Sequence, residues 1–198
     1  MAIYEMAPLS PHEVGELLRT FPHRWWIAGG WAIDLFLNRS TRKHQDIEVA
    51  LLRRDQQAIR GYLVDWELHY AADHELHVWP EGQRLELPIH EIWARKRSES
   101  QWRLELLLNE CRDEQWLFRR DTRIARPLEE VGLITAAGLP VLAPEIVLLY
   151  KARHAESRDE ADLTAVLPAL DHERRRWLHS ALDLVHPGHR WVSVLRDL

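Results

Sequence analysis

Apolar positions recur along this chain first at helical spacing, then in alternation, and near the end at helical spacing again. Ser10-Pro11-His12-Glu13 reads as a capping box with proline at the first helical position, and Val14, Leu17 and Leu18 then share one helix face. An apolar run at 25–28 (Trp25-Trp26-Ile27-Ala28) meets Gly29-Gly30, which predicts a strand, a tight turn and a helix over 31–37. A polar loop follows over 38–45, then a strand over 46–51 and a helix over 55–63 with Ile59 and Leu63 inward. Alternation at 66–71 and 75–79 predicts two further strands, and 102–108 a central one, with shorter extended pieces at 115–118 and 123–128. Gly138 to Pro144 marks a change of pattern, after which 144–155, 159–167 and 171–185 read as helices, with Asp171 as an N-cap and a last turn or helix at 189–195. The expected class is α+β: a mixed sheet with flanking helices over 1–139, then a helical bundle over 140–198.

Composition narrows this little. The 46% hydrophobic content of the 198 residues is ordinary for one domain, or one domain with a helical appendage. Ten tryptophans stand mostly in apolar or amphipathic segments and are expected in the core; Trp31, after the diglycine, is also a possible aromatic wall for a ligand ring. A net charge of -5 argues against nucleic acid as the main partner and suits a cationic small molecule. The single Cys111 excludes an intrachain disulfide or a cysteine metal cluster. No run approaches the ~20 apolar residues of a membrane span, and no leader peptide is visible, so a cytoplasmic protein, monomer or homodimer, is expected.

Asp46 and Glu48 stand one residue apart on a predicted strand, so both project from one face while Ile47 turns to the core. Two like charges there repel, and a divalent cation relieves that cost. The plain alternative is a solvated strand face. Glycines at a helix start let backbone N–H groups approach a phosphate, which gives Gly29 and Gly30 a second reading besides a turn. The run Glu173-Arg-Arg-Arg-Trp177 reads as a solvated helix face.

A diglycine, a spacer and an acid-x-acid pair together resemble the polymerase-beta-like nucleotidyltransferase superfamily. The segments Ala28-Gly-Gly-Trp-Ala-Ile-Asp34 and Thr41-Arg-Lys-His-Gln-Asp46 resemble its aminoglycoside 2''-adenylyltransferase-like group, and Ala143 to Ala152 with Arg158 to Leu163 resemble the helical motif that follows the catalytic sheet in the superfamily. The likeness spans about Trp25 to Trp191. The second acid is Glu48 where the common pair is Asp-x-Asp, a side chain one methylene longer. The resemblance implies transfer of a nucleoside monophosphate, AMP from ATP, with Mg2+, to a hydroxyl of an aminoglycoside-like acceptor in the cleft between the two portions. It requires a third carboxylate from a neighbouring strand. Glu105, pointing opposite to Leu104 and Leu106, is the candidate for metal ligation and proton abstraction, with Glu110 and Glu86 as fallbacks and an ion pair with Arg103 as the plain alternative.

By the same resemblance Lys151 reaches the triphosphate, with snorkelling to the surface as the plain alternative. Arg42 and His44 stand where they would neutralise phosphates or fix the loop, and His44 would also hydrogen-bond a ligating carboxylate. Asp34 would contact the acceptor or the basic residues of the loop, and Asp162 the acceptor. Asp159 is expected to N-cap its helix, Asp162 alternatively to orient Lys151, and Lys43 to be a solvated loop residue. Two other functions stay open at this point: a nucleotidyltransferase acting on protein or RNA, as in toxin–antitoxin systems, and a non-catalytic nucleotide-binding relative.

Overall fold

The computed structural model describes residues 5–196. Its strands are β1 (Trp25–Ile27), β2 (Glu48–Leu52), β3 (Trp66–Ala72), β4 (Glu75–Val78), β5 (Glu91–Lys96), β6 (Leu104–Arg112), β7 (Gln115–Leu117), β8 (Ala125–Pro127), β9 (Gly132–Ile134) and β10 (Pro140–Leu142). The helices are α1 (Pro11–Leu18), α2 (Gly29–Leu37), α3 (Gln56–Tyr62), α4 (Pro144–Lys151), α5 (Ser157–Val166), α6 (His172–Val185) and α7 (Arg190–Arg196). The strands form one mixed sheet in the order β4-β3-β5-β6-β2-β1-β10-β9, with β7 added to β6 and β8 to β7. At its centre β2 runs parallel to β6, with Glu48 opposite Glu105, and antiparallel to β1. The α+β class with a C-terminal run of helices is therefore the observed one.

Local chemistry explains the elements. Ser10 and Glu13 satisfy each other's backbone N–H groups, at 3.2 and 2.7 Å, so the α1 capping box is real. Asp171 caps α6 by accepting from the Arg174 N–H at 2.8 Å. The alternating interior of β2 and β6 (Val49, Leu51, Leu104, Leu106, Leu108) is buried, and so are Trp26, Trp66, Trp79, Trp102, Trp116 and Trp191. The aromatic abundance is a packing feature.

Several expectations are corrected. The strand expected over 46–51 begins only at Glu48, so Asp46 and Ile47 precede it, although the Glu105 N–H still bonds the Ile47 carbonyl at 3.0 Å and continues the ladder. Strand β5 was not expected; its buried Ile92 and Ala94 alternate over too few positions to stand out. Pro140–Leu142 belongs to the sheet, pairing with β1 and β9, so the change from sheet to helix follows Leu142. Asp159 is not the cap of α5. Glu156 is, and Asp159, three residues on, accepts the Glu156 N–H at 3.1 Å. The basic run on α6 is not wholly solvated either: Arg174 reaches the fully buried Glu145 of α4 at 2.9 Å, and Arg126 of β8 bonds the same carboxylate. A buried carboxylate needs such partners, and here they tie α4 to α6 and to the sheet. Among the described residues no helix is long and apolar enough to cross a membrane.

Candidate active site

The site begins where β1 ends. The Ala28 N–H donates to the Glu48 carbonyl at 2.8 Å, which fixes the start of α2 beside the start of β2. Gly29 opens the helix with φ +57°, a left-handed conformation that favours glycine, and a Cβ there would overlap the Glu48 carboxylate. Gly30 is confined differently: a Cβ would collide with the Arg42 guanidinium and the His44 ring. The diglycine is thus required by two close approaches, one on each residue.

Between the sheet and α4 lies a cavity of about 320 Å³, lined by Gly29, Asp46, Glu48, Glu105 and Lys151 among others. These five, all singled out in the sequence, meet there, and Asp159 joins them. Glu48 and Glu105 face each other across the parallel strand pair. Among the described residues neither carboxyl has a hydrogen bond or an ion pair, whereas the fallback Glu110 is held by Arg53 at 2.7 Å and Glu86 by Arg84 at 3.1 Å. Burial, and then the nearby Asp46, push Glu48 up to about 7. Glu105 rises to about 9, through burial first and then Glu48, Glu91 and Asp46.

The other residues expected in the site stand behind it. His44 hydrogen-bonds Asp34, not a cavity carboxylate, at 2.7 Å, and both side chains are almost fully buried. Asp34 also accepts from the backbone N–H of Thr41 at 3.1 Å and from its hydroxyl. Asp34 is therefore withdrawn from any acceptor and instead pins the 38–46 loop to α2. Arg42 grips Asp162 with two bonds, 3.1 and 3.2 Å, and does not line the cavity. Asp162 also holds Lys151 at 2.9 Å, and Asp159 holds it at 2.8 Å. Burial opposes the Lys151 charge, but these carboxylates outweigh it and raise its pKa. Burial likewise opposes ionised Asp162, yet Arg42 and Lys151 keep its pKa low. Trp31 is a prop, not a wall: its Nε1–H donates to the Asp46 carbonyl at 3.1 Å, and its ring packs 4.5 Å from His44.

The cavity also holds residues that the sequence did not single out. Glu91 of β5 adds a fourth acid, and Arg119 and Arg120 follow β7. They belong to segments whose place next to β6 depends on sheet pairing, which no local motif announces.

Asp46, Glu48 and Glu105 offer the oxygen donors that a hard divalent cation prefers, and their mutual repulsion is the cost such a cation removes. In that chemical sense they fit a metal, although among the described residues no three His, Cys, Asp or Glu side chains are gathered closely enough to clasp one.

The sequence model of the aminoglycoside-2''-adenylyltransferases matches residues 11–163. The chain belongs to this family. Family membership makes it a nucleotidyltransferase. No curated protein matches it in sequence. Among solved structures, the solution structure of the antibiotic-resistance factor ANT(2'')-Ia aligns with a TM-score of 0.55 at 17% identity, over 94% of this chain and 93% of that one. A crystal structure of ANT(2'')-Ia in complex with adenylyl-2''-tobramycin gives 0.50 at 17% identity, over 94% and 92%. The lincosamide antibiotic adenylyltransferase LnuA, lincomycin-bound, gives 0.53 at 14% identity, over 80% and 95%. At such identities these likenesses are of fold.

Proposed function

We propose that this member of the adenylyltransferase family transfers a nucleoside monophosphate, AMP from ATP, to a hydroxyl of a small-molecule acceptor, and that the reaction takes place in the cavity between the sheet and α4. The carrying observation is the set of unpaired carboxylates, Asp46, Glu48 and Glu105, next to the Gly29 helix start. The structural neighbours hold adenylyl-2''-tobramycin in one case and lincomycin in another, so aminoglycosides and lincosamides are the first acceptor classes to test.

Asp46, Glu48 and Glu105 are the residues that would hold Mg2+, which when bound supplies positive charge that favours ionised carboxylates and stabilises the phosphate oxygens. Ionised Glu105 takes the proton of the acceptor hydroxyl. The hydroxyl oxygen forms its bond to the α-phosphorus as the bond to the β-phosphate oxygen breaks, and pyrophosphate leaves. Lys151, steered by Asp159 and Asp162, presents its ammonium to the phosphates. Backbone N–H groups at the start of α2 face the same charge. Gly30, Arg42, His44 and Asp34 act as a rigid support that keeps the Asp46 loop and Lys151 in place. The residues up to Leu142 carry the carboxylates and those after it carry Lys151, so the chain is read as a catalytic part and a helical part that closes the cavity.

The test is pyrophosphate release with Mg2+, each of the four NTPs, and panels of aminoglycosides and lincosamides. Acceptor-dependent release that disappears in Asp46→Asn supports the reading, and release unchanged in that variant refutes it.

A further inference from the structure

Of the four lysine and arginine side chains in the cavity wall, two are matched by carboxylates. Lys151 is paired with Asp159 at 2.8 Å and Arg158 with Glu156 at 3.1 Å. Arg119 and Arg120 are the exceptions. Both line the cavity, both are half-buried, and among the described residues neither has a carboxylate in ion-pair distance. Arg120 donates to the Tyr150 carbonyl at 2.8 Å, but its Nε–H is buried without a partner. Both guanidiniums stack on the Tyr150 ring, with centroid distances of 5.8 and 5.3 Å. The ring holds them in place but does not neutralise them. Burial first, then each other and Arg153, depress the Arg120 pKa to about 10, the mark of clustered cations lacking an anion. A desolvated guanidinium without a counter-charge is costly, and its planar fork matches a carboxylate or a phosphate.

The arginines are set apart from the nucleotide half. They lie beyond Leu117, the partner of Glu110 in the later half of β6, whereas Glu48 and Glu105 stand at the starts of β2 and β6, and neither arginine is among the charges that act on those two acids. The cations that act on Glu48 are Lys151 and Arg158. The phosphate half of the cavity therefore has its own positive charges, and the second cationic group faces what remains of the space, where the acceptor would lie.

We infer that Arg119 and Arg120 form an anion-binding subsite for the acceptor, so that the hydroxyl compound modified here carries a phosphate or carboxylate group and is not a polycation. The inference rests on the nucleotidyl-transfer reading above. Ammonium groups of an aminoglycoside would meet two unpaired guanidiniums, an arrangement that selects against them.

The experiment is calorimetric titration of protein first saturated with Mg2+ and a non-hydrolysable ATP analogue. Glucose 6-phosphate, gluconate and tobramycin are then added separately, as phosphate, carboxylate and polycation probes. The expected result is binding of at least one anionic probe, weakened tenfold or more in Arg119→Gln/Arg120→Gln and largely kept in Arg119→Lys/Arg120→Lys, with tobramycin bound more weakly; the first two probes tell which anion is preferred. Analogue affinity should stay unchanged in the Gln variant. Tobramycin binding more tightly than both anions, anion binding indifferent to the substitutions, or no anion binding would overturn the inference. Loss of analogue affinity in the Gln variant would also overturn it, by giving the arginines to the triphosphate. Failure of the analogue to bind wild type would instead refute the nucleotidyl-transfer reading, and the acceptor assignment with it. Should the double variant not fold, Arg119→Gln alone provides the same comparison.

Discussion

Two groups of carboxylates withdrawn from open solvent live in opposite electrostatic conditions in this protein. Asp34, Asp159, Asp162 and Glu145 each have basic or hydrogen-bonding partners at short range. Glu48 and Glu105 have none among the described residues, and their pKa values rise to about 7 and about 9. The same side-chain chemistry thus builds in one group and waits for a ligand in the other. Pairing, more than burial or charge, separates an acid that holds the fold from an acid held in reserve for binding.

That contrast can be broken first at Asp46. Asp46→Asn removes a site charge without opening a cavity, so transfer is expected to fall by about 10³-fold or more, on the scale of losing a principal electrostatic contributor, while thermal melting stays within a degree or two of wild type. Equal activity in both proteins would place the chemistry elsewhere. The opposite pattern is expected at Glu145, whose removal leaves Arg126 and Arg174 facing each other without their shared anion. Glu145→Ala should cost about 3–5 kcal/mol in denaturant unfolding, and a loss below about 1 kcal/mol would show that this network is not what joins α4 to α6.

A pH comparison sharpens the difference from the other side. The folded pKa of Glu105 lies above its ordinary 4.5, so its favourable contribution is complete below that value and is lost as pH rises toward about 9. Wild-type stability without divalent cations should therefore decline over that window relative to Glu105→Gln, by about 1 kcal/mol per pH unit. Parallel pH profiles for the two proteins would contradict the unpaired state of Glu105. The smallest expected effect is at Gly29. Gly29→Ala forces a Cβ into a left-handed backbone and against Glu48, with an expected cost of about 1–2 kcal/mol in unfolding free energy. A neutral or stabilising result would show that the turn relaxes freely.

Much of the site was legible because its signals are local. The diglycine, the Asp46/Glu48 spacing and the charged Glu105 between two leucines each announce themselves within a few residues, and all of them reach one cavity apart from Gly30. The supporting pairs were not legible in the same way. His44 and Asp34, or Arg42 and Asp162, are joined by the path of a loop and by the docking of α5, so the sequence offered a loop-fixing role only as an alternative to ligand contact and could not name the pairs. Strand β5 was missed because six residues with two buried apolar positions carry a weak period, and with it went Glu91. The Arg119 and Arg120 pair was missed because its position next to β6 comes from a hairpin whose short strands, β7 and β8, had no assigned neighbour. Fold class survives such gaps because the long, strongly patterned elements, β2, β6, α4 and α6, set it.

The central claim is that the unpaired carboxylates are a cation-dependent nucleotide site. Its most direct measurement is ATP binding by calorimetry with and without Mg2+, in wild type and in Asp46→Asn. The account predicts that Mg2+ strengthens binding at least tenfold in wild type and that this gain disappears in the variant. Binding that is independent of Mg2+ in both proteins, or a Mg2+ gain that survives the substitution, would contradict it.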